Sequence, residues 1–406
     1  MSARAALAHR DYRLLLGARF CGVLALQMMS VAVGWQVYDA TGSALDLGLV
    51  GLVQFLPVLL LWPLTGSVAD RGDRAGILRA CSGTWAACAL GLLAIAWRGL
   101  PEVGTATLYA VLVPLSAARA FAGPAGAALL PRLVSTEALP SAVALSSSTY
   151  QVGSVAGPAV GGLVYALGGA TAVYAVATVL LAASFTLQLG LPSLRGAGGP
   201  PRRLSEMFEG LHYVRSRPVL LGAITLDLFA VLLGGAVALL PIYARDILAV
   251  GPTGLGMLRA APAVGAALTA AWLAVHPVRR RAGRTLLAAV AVFGLATIGF
   301  GLSRSFVLSL AMLLLTGIAD EVSVVIRQTL VQVHTPDAMR GRVSALNLLF
   351  VGVSNEIGEL ESGLSAAWLG AVPAVVLGGS GTLLVVAIAA WRAPSLRDVD
   401  SLDGAS

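Results

Sequence analysis

Apolar runs of about twenty residues, the length that crosses a bilayer as a helix, alternate with short segments rich in arginine, glycine and proline. This alternation continues along the whole chain and predicts twelve membrane-spanning helices. We call them spans 1 to 12 and predict them at residues 14–37, 47–69, 77–96, 105–128, 141–167, 170–191, 219–243, 254–275, 286–302, 306–333, 343–369 and 374–391. The pattern therefore indicates an all-α integral membrane protein.

The longest polar connection follows span 6 and separates two sets of six spans. Glycine and proline open this connection, and residues 205–213 have the pattern of a short amphipathic helix on the membrane surface. We therefore predict four segments along the chain: an N-terminal six-helix bundle at 1–191, a cytoplasmic linker at 192–217, a C-terminal six-helix bundle at 218–391 and a cytoplasmic tail at 392–406.

The two sets of spans also resemble each other in sequence. Residues 137–139 align with residues 337–339 at an offset of 200, which brings spans 4 and 5 into register with spans 10 and 11. Repeated halves in parallel orientation are typical of transporters in which two pseudo-symmetric bundles rock around a site near the bilayer midplane. We therefore expect two pseudo-symmetric six-helix bundles.

Composition and charge narrow the class of protein further. Hydrophobic residues make up 57% of the 406 residues and charged residues only 12%, whereas soluble domains carry about 25% charged residues. This scarcity excludes most soluble enzymes, secreted disulfide scaffolds and disordered tails. All 27 basic residues are arginine, and most fall on the side of the two termini, which predicts that both termini are cytoplasmic. The net charge of +7 thus reports orientation and not a nucleic-acid partner.

A loop rich in glycine and charge joins spans 2 and 3. It contains Gly66, Asp70, Arg71 and Arg74. The glycine allows close helix approach, and a carboxylate among arginines can form a latch that breaks and re-forms. We predict a cytoplasmic gate at this loop. The simpler alternative is that the arginines only fix the topology.

Span 5 contains small residues at four-residue spacing around a proline. The motif consists of Gly153, Gly157, Pro158, Gly161 and Gly162. Small residues at this spacing let a neighbouring backbone approach closely, and the proline removes a helical hydrogen bond and creates a bend. We predict that span 5 pivots during a conformational change, with ordinary tight packing as the alternative.

Several ionisable residues fall within the predicted spans, where charge is costly and usually functional. The candidates for proton coupling are Asp227, Asp320, Glu321, Glu356 and Glu359, and the candidate charge partners are Arg119 and Arg327. Asp320 and Arg327 are seven residues apart, so they lie nearly on one face of span 10. A carboxylate that changes its arginine partner during rocking would load and release a proton. The alternative for each residue is a static buried ion pair that locks two helices.

Other polar residues in the spans are weaker candidates for a substrate cavity. They are Gln27, Tyr150, Gln151 and Asn355, and each equally suits an interhelical hydrogen bond. The sequence has no phosphate-binding loop, nucleophile motif or zinc pattern, and its histidines are not clustered. We therefore expect no enzymatic activity, no bound metal and no cofactor.

These motifs resemble those of the major facilitator superfamily. The loop at 66–74 is similar to its Gly-x-x-x-Asp-Arg-x-Gly-Arg signature, except that Asp73 replaces the second glycine. The span 5 motif resembles the superfamily's antiporter motif, which is found mainly in exporters. Segments 33–43, 326–332, 335–347 and 352–363 resemble the branch that contains the bacterial enterobactin exporter and drug exporters.

The resemblance implies a proton-coupled exporter with the major facilitator fold in the bacterial inner membrane. Its cargo would be a siderophore such as enterobactin, or a drug-like or macrolide compound. The expected partners are this small molecule, protons and the lipid bilayer, and the expected oligomeric state is a monomer. An uptake symporter of the same fold should lack the span 5 motif. A sensor or scaffold that transports nothing is a third class, but it would leave the buried charges without a purpose.

Overall fold

The computed structural model describes residues 3–195, 204–278 and 280–400. These residues contain no strand, and one isolated bridge pairs Asp73 with Arg195. The long helices, α1 to α12 in chain order, are Arg10–Thr41, Ala44–Arg71, Arg74–Arg98, Thr105–Leu129, 139–167, 170–189, Pro218–Gly234, Gly251–Val275, Ala282–Leu302, Phe306–Val333, Asp337–Leu369 and Ala371–Arg392. Short helical segments lie at Ala3–Ala8, Leu100–Val103, Leu130–Arg132, Val237–Leu239, Leu240–Ile242, Tyr243–Ile247 and Pro394–Arg397. A linker helix lies at Leu204–Ser216.

Helices α5 and α6 form one helical run, Leu139–Leu189, that is broken at two adjacent glycines. Gly168 and Gly169 depart from helical dihedral angles, and Gly169 has a φ of 67°. Glycine adopts this left-handed conformation without the clash that a Cβ atom would cause, so the chain turns here. The break coincides with the predicted boundary between spans 5 and 6. The twelve-helix, all-α architecture expected from the sequence is thereby confirmed in the described residues.

Helix α7 ends earlier than the sequence predicted. It stops at Gly234 and continues as short turns to Ile247, whereas span 7 was expected to run to residue 243. A methyl group added at Gly234 would meet the ring of Phe293, so the close approach of α9 requires a glycine here. The Gly235 carbonyl accepts a hydrogen bond from the Ser362 hydroxyl at 2.7 Å. That bond satisfies an acceptor at the helix end, where the helix itself provides no donor.

Contacts between residues divide the chain into two compact units. Unit 1 comprises Met1–Gly42, Val53–Arg202 and Gly251–Ala260. Unit 2 comprises Ser43–Leu52, Arg203–Val250 and Ala261–Ser406. Helices α2 and α8 therefore contribute residues to both units, while every other long helix belongs to one of them.

Unit 1 has an apolar core built from the ends of its helices. Its buried members include Tyr12, Leu15, Leu78 and Leu129, from α1, α3 and α4. The Tyr12 hydroxyl donates a hydrogen bond to the Ala142 carbonyl at 2.8 Å, so its polar tip is satisfied inside the core. This bond fixes the start of α1 against the start of α5.

Unit 2 has two neighbouring apolar clusters. The first joins α7, α9 and α10 through residues such as Leu226, Leu286 and Ile326. The second joins the linker helix to α7, α10 and α11, with Val214 fully enclosed among their side chains. The Tyr213 hydroxyl donates to the His334 carbonyl at 2.8 Å. The C-terminal part of the linker helix is thus attached to unit 2.

Candidate functional site

A buried ion pair joins α7 to α10 inside unit 2. Asp227 is 6% exposed and Arg327 is 2% exposed, and Nη1 of the guanidinium forms a salt bridge with Oδ1 of the carboxylate. Removing two opposite charges from water is costly, and only close pairing offsets that cost. Together the two side chains therefore bring no net charge into the interior of the unit.

A small cavity lies beside this ion pair. It is lined by residues of α7, α9 and α10: Asp227, Ala230, Val231, Val290, Phe293, Ala319, Asp320 and Ser323. Asp320 and Ser323 are three residues apart and so occupy nearly the same face of α10. The cavity thus combines two carboxylates in a largely apolar wall, with a single guanidinium next to it. When both carboxylates are ionised, this cluster has one negative charge in excess.

Three polar atoms of the cluster are inaccessible to solvent and have no geometrically regular hydrogen bond among the described residues: Nε and Nη1 of Arg327 and Oγ of Ser323. Of these, Nη1 has its salt bridge with Asp227. Buried polar groups in proteins are nearly always satisfied, so unsatisfied atoms beside an excess carboxylate indicate a functional arrangement. The Ser323 hydroxyl is an available donor one turn away from Asp320.

The sequence identified Asp227, Asp320 and Arg327, but not how they are arranged. It placed Asp320 and Arg327 on one face of span 10, and in the structure the guanidinium pairs with Asp227, a hundred positions earlier in the chain. That pairing depends on how α7 packs against α10, for which a single sequence gives no signal. Ser323 was missed, although its spacing from Asp320 on a helix was a usable signal.

Glu321 and Glu359 are not among the described residues that line this cavity. Glu321 is half-buried on α10, and Glu359 is half-buried on α11. Asn355 is exposed, and its amide donates to the Val351 carbonyl of its own helix at 2.8 Å. The side chain of Glu356 lies outside the described part of the structure.

The glycines of α5 form a close crossing with α1 within unit 1. Gly153, Gly157 and Gly161 face α1 at Val23, Gln27 and Met28 respectively. A methyl group added at Gly161 would lie 2.8 Å from the Met28 Cα atom, which is closer than van der Waals contact allows. The four-residue spacing therefore brings the two backbones together, as the sequence suggested for small residues.

A second crossing uses the next glycine of the same motif. Gly162 faces α8, and a methyl group added there would lie 2.9 Å from the Cα atom of Gly256. Pro158 is buried between the two crossings. Helix α5 thus contacts different helices on its two sides through residues without bulky side chains.

Arg74 in the predicted gate ties two helix ends together. Its Nη1 donates to the Ala128 carbonyl at 2.9 Å, near the end of α4, and its Nε donates to the Ala69 carbonyl at 3.2 Å, near the end of α2. Cations at helix C-termini are favoured by the helix dipole. Arg71 is exposed and Gly66 has open space around it. The side chain of Asp70 is not among those described.

Asp73, which departs from the family signature, has a specific contact. Its Oδ1 accepts a hydrogen bond from the Leu194 N–H at 3.1 Å, and its Oδ2 forms an ion pair with Arg79 at 3.0 Å. Burial raises the pKa of Asp73, but hydrogen bonds, foremost from Ser193, and the Arg79 charge together hold that pKa below its ordinary value. The carboxylate thus anchors the chain that follows α6.

The weaker polar candidates are distributed over unit 1. Gln27 and Gln151 are half-buried, whereas Arg119 is exposed on α4. Tyr150 is 48% exposed, and the guanidinium carbon of Arg19 lies 5.7 Å from the centre of its ring. Arg19 is not among the residues predicted from the sequence, although its position within predicted span 1 was a signal that could have identified it.

Comparison with known proteins gives one family over the whole chain. A family model described as "Transmembrane secretion effector" matches residues 1–406. The enterobactin exporter EntS of Shigella boydii serotype 18 is 28% identical over 386 residues, which cover 93% of this chain and 90% of the relative. The enterobactin exporter EntS of Escherichia coli O1:K1 / APEC is 29% identical over 389 residues, with coverages of 93% and 90%.

Solved structures with the same fold include membrane transporters. The nucleoside transporter NupG has a TM-score of 0.73 at 12% identity, over 94% of this chain and 99% of the other. A bacterial homologue of the iron transporter ferroportin in an inward-facing state has a TM-score of 0.73 at 16% identity, over 96% and 99% of the two chains. Since the family model covers every residue and the fold agrees, this chain belongs to the transmembrane secretion effector family of the major facilitator superfamily.

Proposed function

We propose that this exporter of the major facilitator superfamily moves a small molecule out of the cytoplasm in exchange for protons. Its family and relatives make it a multi-pass inner-membrane transporter and not an enzyme. Proton coupling is supported by one observation, the cavity in which Asp227 and Asp320 lie beside the single guanidinium of Arg327. No nucleotide or other cofactor is required, because the proton gradient supplies the energy.

In this mechanism the three charged residues have different roles. Asp227 and Arg327 neutralise each other in every state, and Asp320 alternates between the carboxylate and the carboxylic acid. A charge at the centre of a membrane helix costs on the order of 3 kcal/mol even on lenient scales. Loading a proton removes that cost, so the protonation state of Asp320 biases which helix arrangement is more stable.

Further carboxylates provide a path for the proton within the same set of helices. The candidates are Glu321 on α10 and Glu356 and Glu359 on α11. Arg119 on α4 is the candidate charge partner in another state of the transport cycle. Each carboxylate would pass a proton towards or away from Asp320. Their substitution should therefore slow exchange without abolishing the response to a pH gradient.

The motions of the cycle are assigned to two motifs. The crossings at Gly153, Gly157, Gly161 and Gly162 let α5 slide and tilt on α1 and α8, with Pro158 as the bend. Asp70, Arg71 and Arg74, next to Gly66, would close the cytoplasmic side when α2 and α4 approach. Gln27, Tyr150, Gln151 and Asn355 would line the path of the cargo. Both termini are assigned to the cytoplasm from the arginine distribution.

Transport into everted membrane vesicles tests this function, with enterobactin as the first probe because curated relatives export it. In the wild type, an acid vesicle interior should drive accumulation of the probe. Asp320→Asn should remove the dependence of transport on the pH gradient, while the probe still moves down its own concentration gradient. Asp246→Asn is the matched control, because it neutralises an exposed carboxylate of the same unit.

Three results would contradict parts of the proposal. Equal wild-type transport with and without the gradient would exclude proton coupling. Full gradient dependence in Asp320→Asn would move the proton site elsewhere. Accumulation of the probe by intact cells, with none in everted vesicles, would make the protein an uptake system. A panel of siderophores and macrolides in the same vesicles, compared with vesicles from a deletion strain, identifies the cargo class.

A further inference from the structure

We propose that Arg19 and Tyr150 form a recognition site for an anionic, aromatic group of the cargo. The proposal rests on the export function above, because it concerns the molecule that is exported. The guanidinium carbon of Arg19 lies 5.7 Å from the ring centre of Tyr150, and both side chains are exposed. An arginine over a tyrosine face presents a planar cation whose donors remain open to a ligand.

The packing of α1 against α5 holds this pair in place. Tyr150 precedes Gly153 by three residues, and Arg19 precedes Val23 by four, so the pair occupies the turn next to the Gly153–Val23 contact. The backbones are therefore close and fixed immediately beside the two side chains. Arg19 lies five residues after the predicted start of span 1 at residue 14, about 7.5 Å along the helix. A guanidinium at that depth is costly in lipid, which favours a water-facing role.

The sign of the surrounding charge favours an anion. The charged residues in the middle of the helices of unit 1 are all arginines: Arg19 on α1, Arg119 on α4 and Arg259 in the part of α8 that belongs to this unit. The acidic residues of α1, Asp11 and Asp39, lie near its two ends. The exposed guanidinium of Arg19 attracts an anion and repels a cation before any direct contact forms.

The chemistry of the pair narrows the ligand to an aromatic acid or phenolate. The guanidinium fork matches the two oxygens of a carboxylate or of adjacent phenolates. Its planar face, already stacked on Tyr150, also accepts a second aromatic ring. A lipid headgroup offers the same anionic chemistry without the ring, so the experiment must separate these two sources.

Dye binding to the purified full-length protein in nanodiscs tests the site. The probes are carboxyfluorescein, which is anionic and aromatic, and ethidium, which is cationic and aromatic, in discs of phosphatidylcholine alone. We expect the wild type to bind carboxyfluorescein and to prefer it over ethidium. Arg19→Ala should weaken carboxyfluorescein binding about tenfold, because one charge-assisted interaction is lost.

Matched variants separate recognition from folding. Arg98→Ala removes another exposed arginine at the end of α3 and should leave dye binding unchanged. Tyr150→Phe keeps the ring and should bind like the wild type, whereas Tyr150→Ala should weaken binding. Arg19→Lys keeps the charge without the planar fork and should give an intermediate affinity. Arg19→Ala should bind ethidium at least as tightly as the wild type, because the charge that repels a cation is removed, and this retained binding shows that the variant remains folded.

The opposite results overturn the proposal. A wild-type preference for ethidium, no carboxyfluorescein binding at its solubility limit, or undiminished binding in Arg19→Ala would exclude an anion site at this pair. Loss of dye binding when phosphatidylglycerol is added to the discs would identify a lipid headgroup as the occupant. The export assay and the dye-binding assay test different proposals. Transport can lack proton coupling while selective dye binding persists, and proton-coupled export can persist while selective dye binding is absent.

Discussion

The two units of the molecule differ in the charges that they carry inside their helices. Unit 1 has arginines there, of which Arg19 and Arg119 are exposed. Unit 2 has carboxylates and one arginine, and Asp227 and Arg327 are buried as an ion pair beside a cavity. The same helical architecture thus supports two kinds of polar site. An exposed cation suits a ligand that arrives from water, whereas a buried ion pair beside a second, half-buried carboxylate suits a proton.

The different placement of charge also means that different interactions stabilise the two units. Both contain close glycine crossings, and unit 2 also encloses the buried ion pair of Asp227 and Arg327, whose members depend on each other. An unpaired buried ion is far more costly than an unpaired exposed one. Substitutions of charge should therefore destabilise unit 2 strongly and unit 1 weakly, while substitutions of glycine at the close crossings should destabilise both units.

The largest expected effect follows from breaking the buried pair. Arg327→Met leaves the Asp227 carboxylate buried without its partner, so we expect a loss of about 3–5 kcal/mol in the free energy of unfolding. Chemical unfolding in detergent measures this change. The double variant Asp227→Asn with Arg327→Met should recover most of it, since neither member then carries a charge.

The matched change in unit 1 is Arg19→Met. Its guanidinium is exposed and contacts a tyrosine ring, an interaction worth about 0.5–1 kcal/mol at such sites. A loss in Arg19→Met as large as in Arg327→Met would remove the distinction between the two units. Equal stability of the Asp227/Arg327 double variant and the single variant would show that the pair does not act as one.

The sequence predicts features that depend on neighbouring residues, but not contacts that depend on how distant helices pack. The break at Gly168 and Gly169 was predictable because the signal is local: two glycines between two apolar runs. The charged residues of the cluster, Asp227, Asp320 and Arg327, were also predictable, because a charged residue inside an apolar span stands out in the sequence. The partner of Arg327 was not, since it depends on the packing of α7 on α10. The role of Asp73 was missed because its partner, Leu194, lies far along the chain.

A smaller effect is expected from filling the α1–α5 crossing in unit 1. In Gly161→Ala the new methyl group would lie 2.8 Å from the Met28 Cα atom, and overpacking of this kind costs about 1–3 kcal/mol. The control is Gly123→Ala in α4, where nothing lies within 4 Å of the added atom. That substitution should stabilise the helix by about 0.5–1 kcal/mol. Thermal unfolding of both variants should therefore shift in opposite directions, and a shared direction would contradict the crossing.

The anchor of unit 1 at Asp73 should respond to acid. Its pKa is lower in the folded protein than the ordinary 3.8, so its contribution to stability is complete above that value. It is lost as the pH falls through the lower, folded pKa. The protection factor of the Leu194 amide, which is its intrinsic hydrogen-exchange rate at each pH divided by the observed rate, should be constant between pH 7 and about 5 and should fall below pH ~3.8. Asp73→Asn should remove this acid-dependent step, and a step that persists in the variant would assign it to another group.

The smallest expected effect concerns the corresponding anchor of unit 2. Glu209 of the linker helix accepts a hydrogen bond from Arg342 of α11 at 2.7 Å, but the two side chains are 54% and 36% exposed. Solvent screens exposed pairs, which contribute about 0.2–1 kcal/mol. Glu209→Gln should therefore change the unfolding free energy by less than ~1 kcal/mol, and high salt should reduce the difference. Val214→Ala, which opens the apolar cluster beneath the same helix, should cost more than the charge does. If Glu209→Gln proved the more damaging of the two, the linker helix would be held on unit 2 by its ion pair and not by its apolar side chains. That attachment would then resemble the one in unit 1, where the Asp73 carboxylate holds the chain after α6.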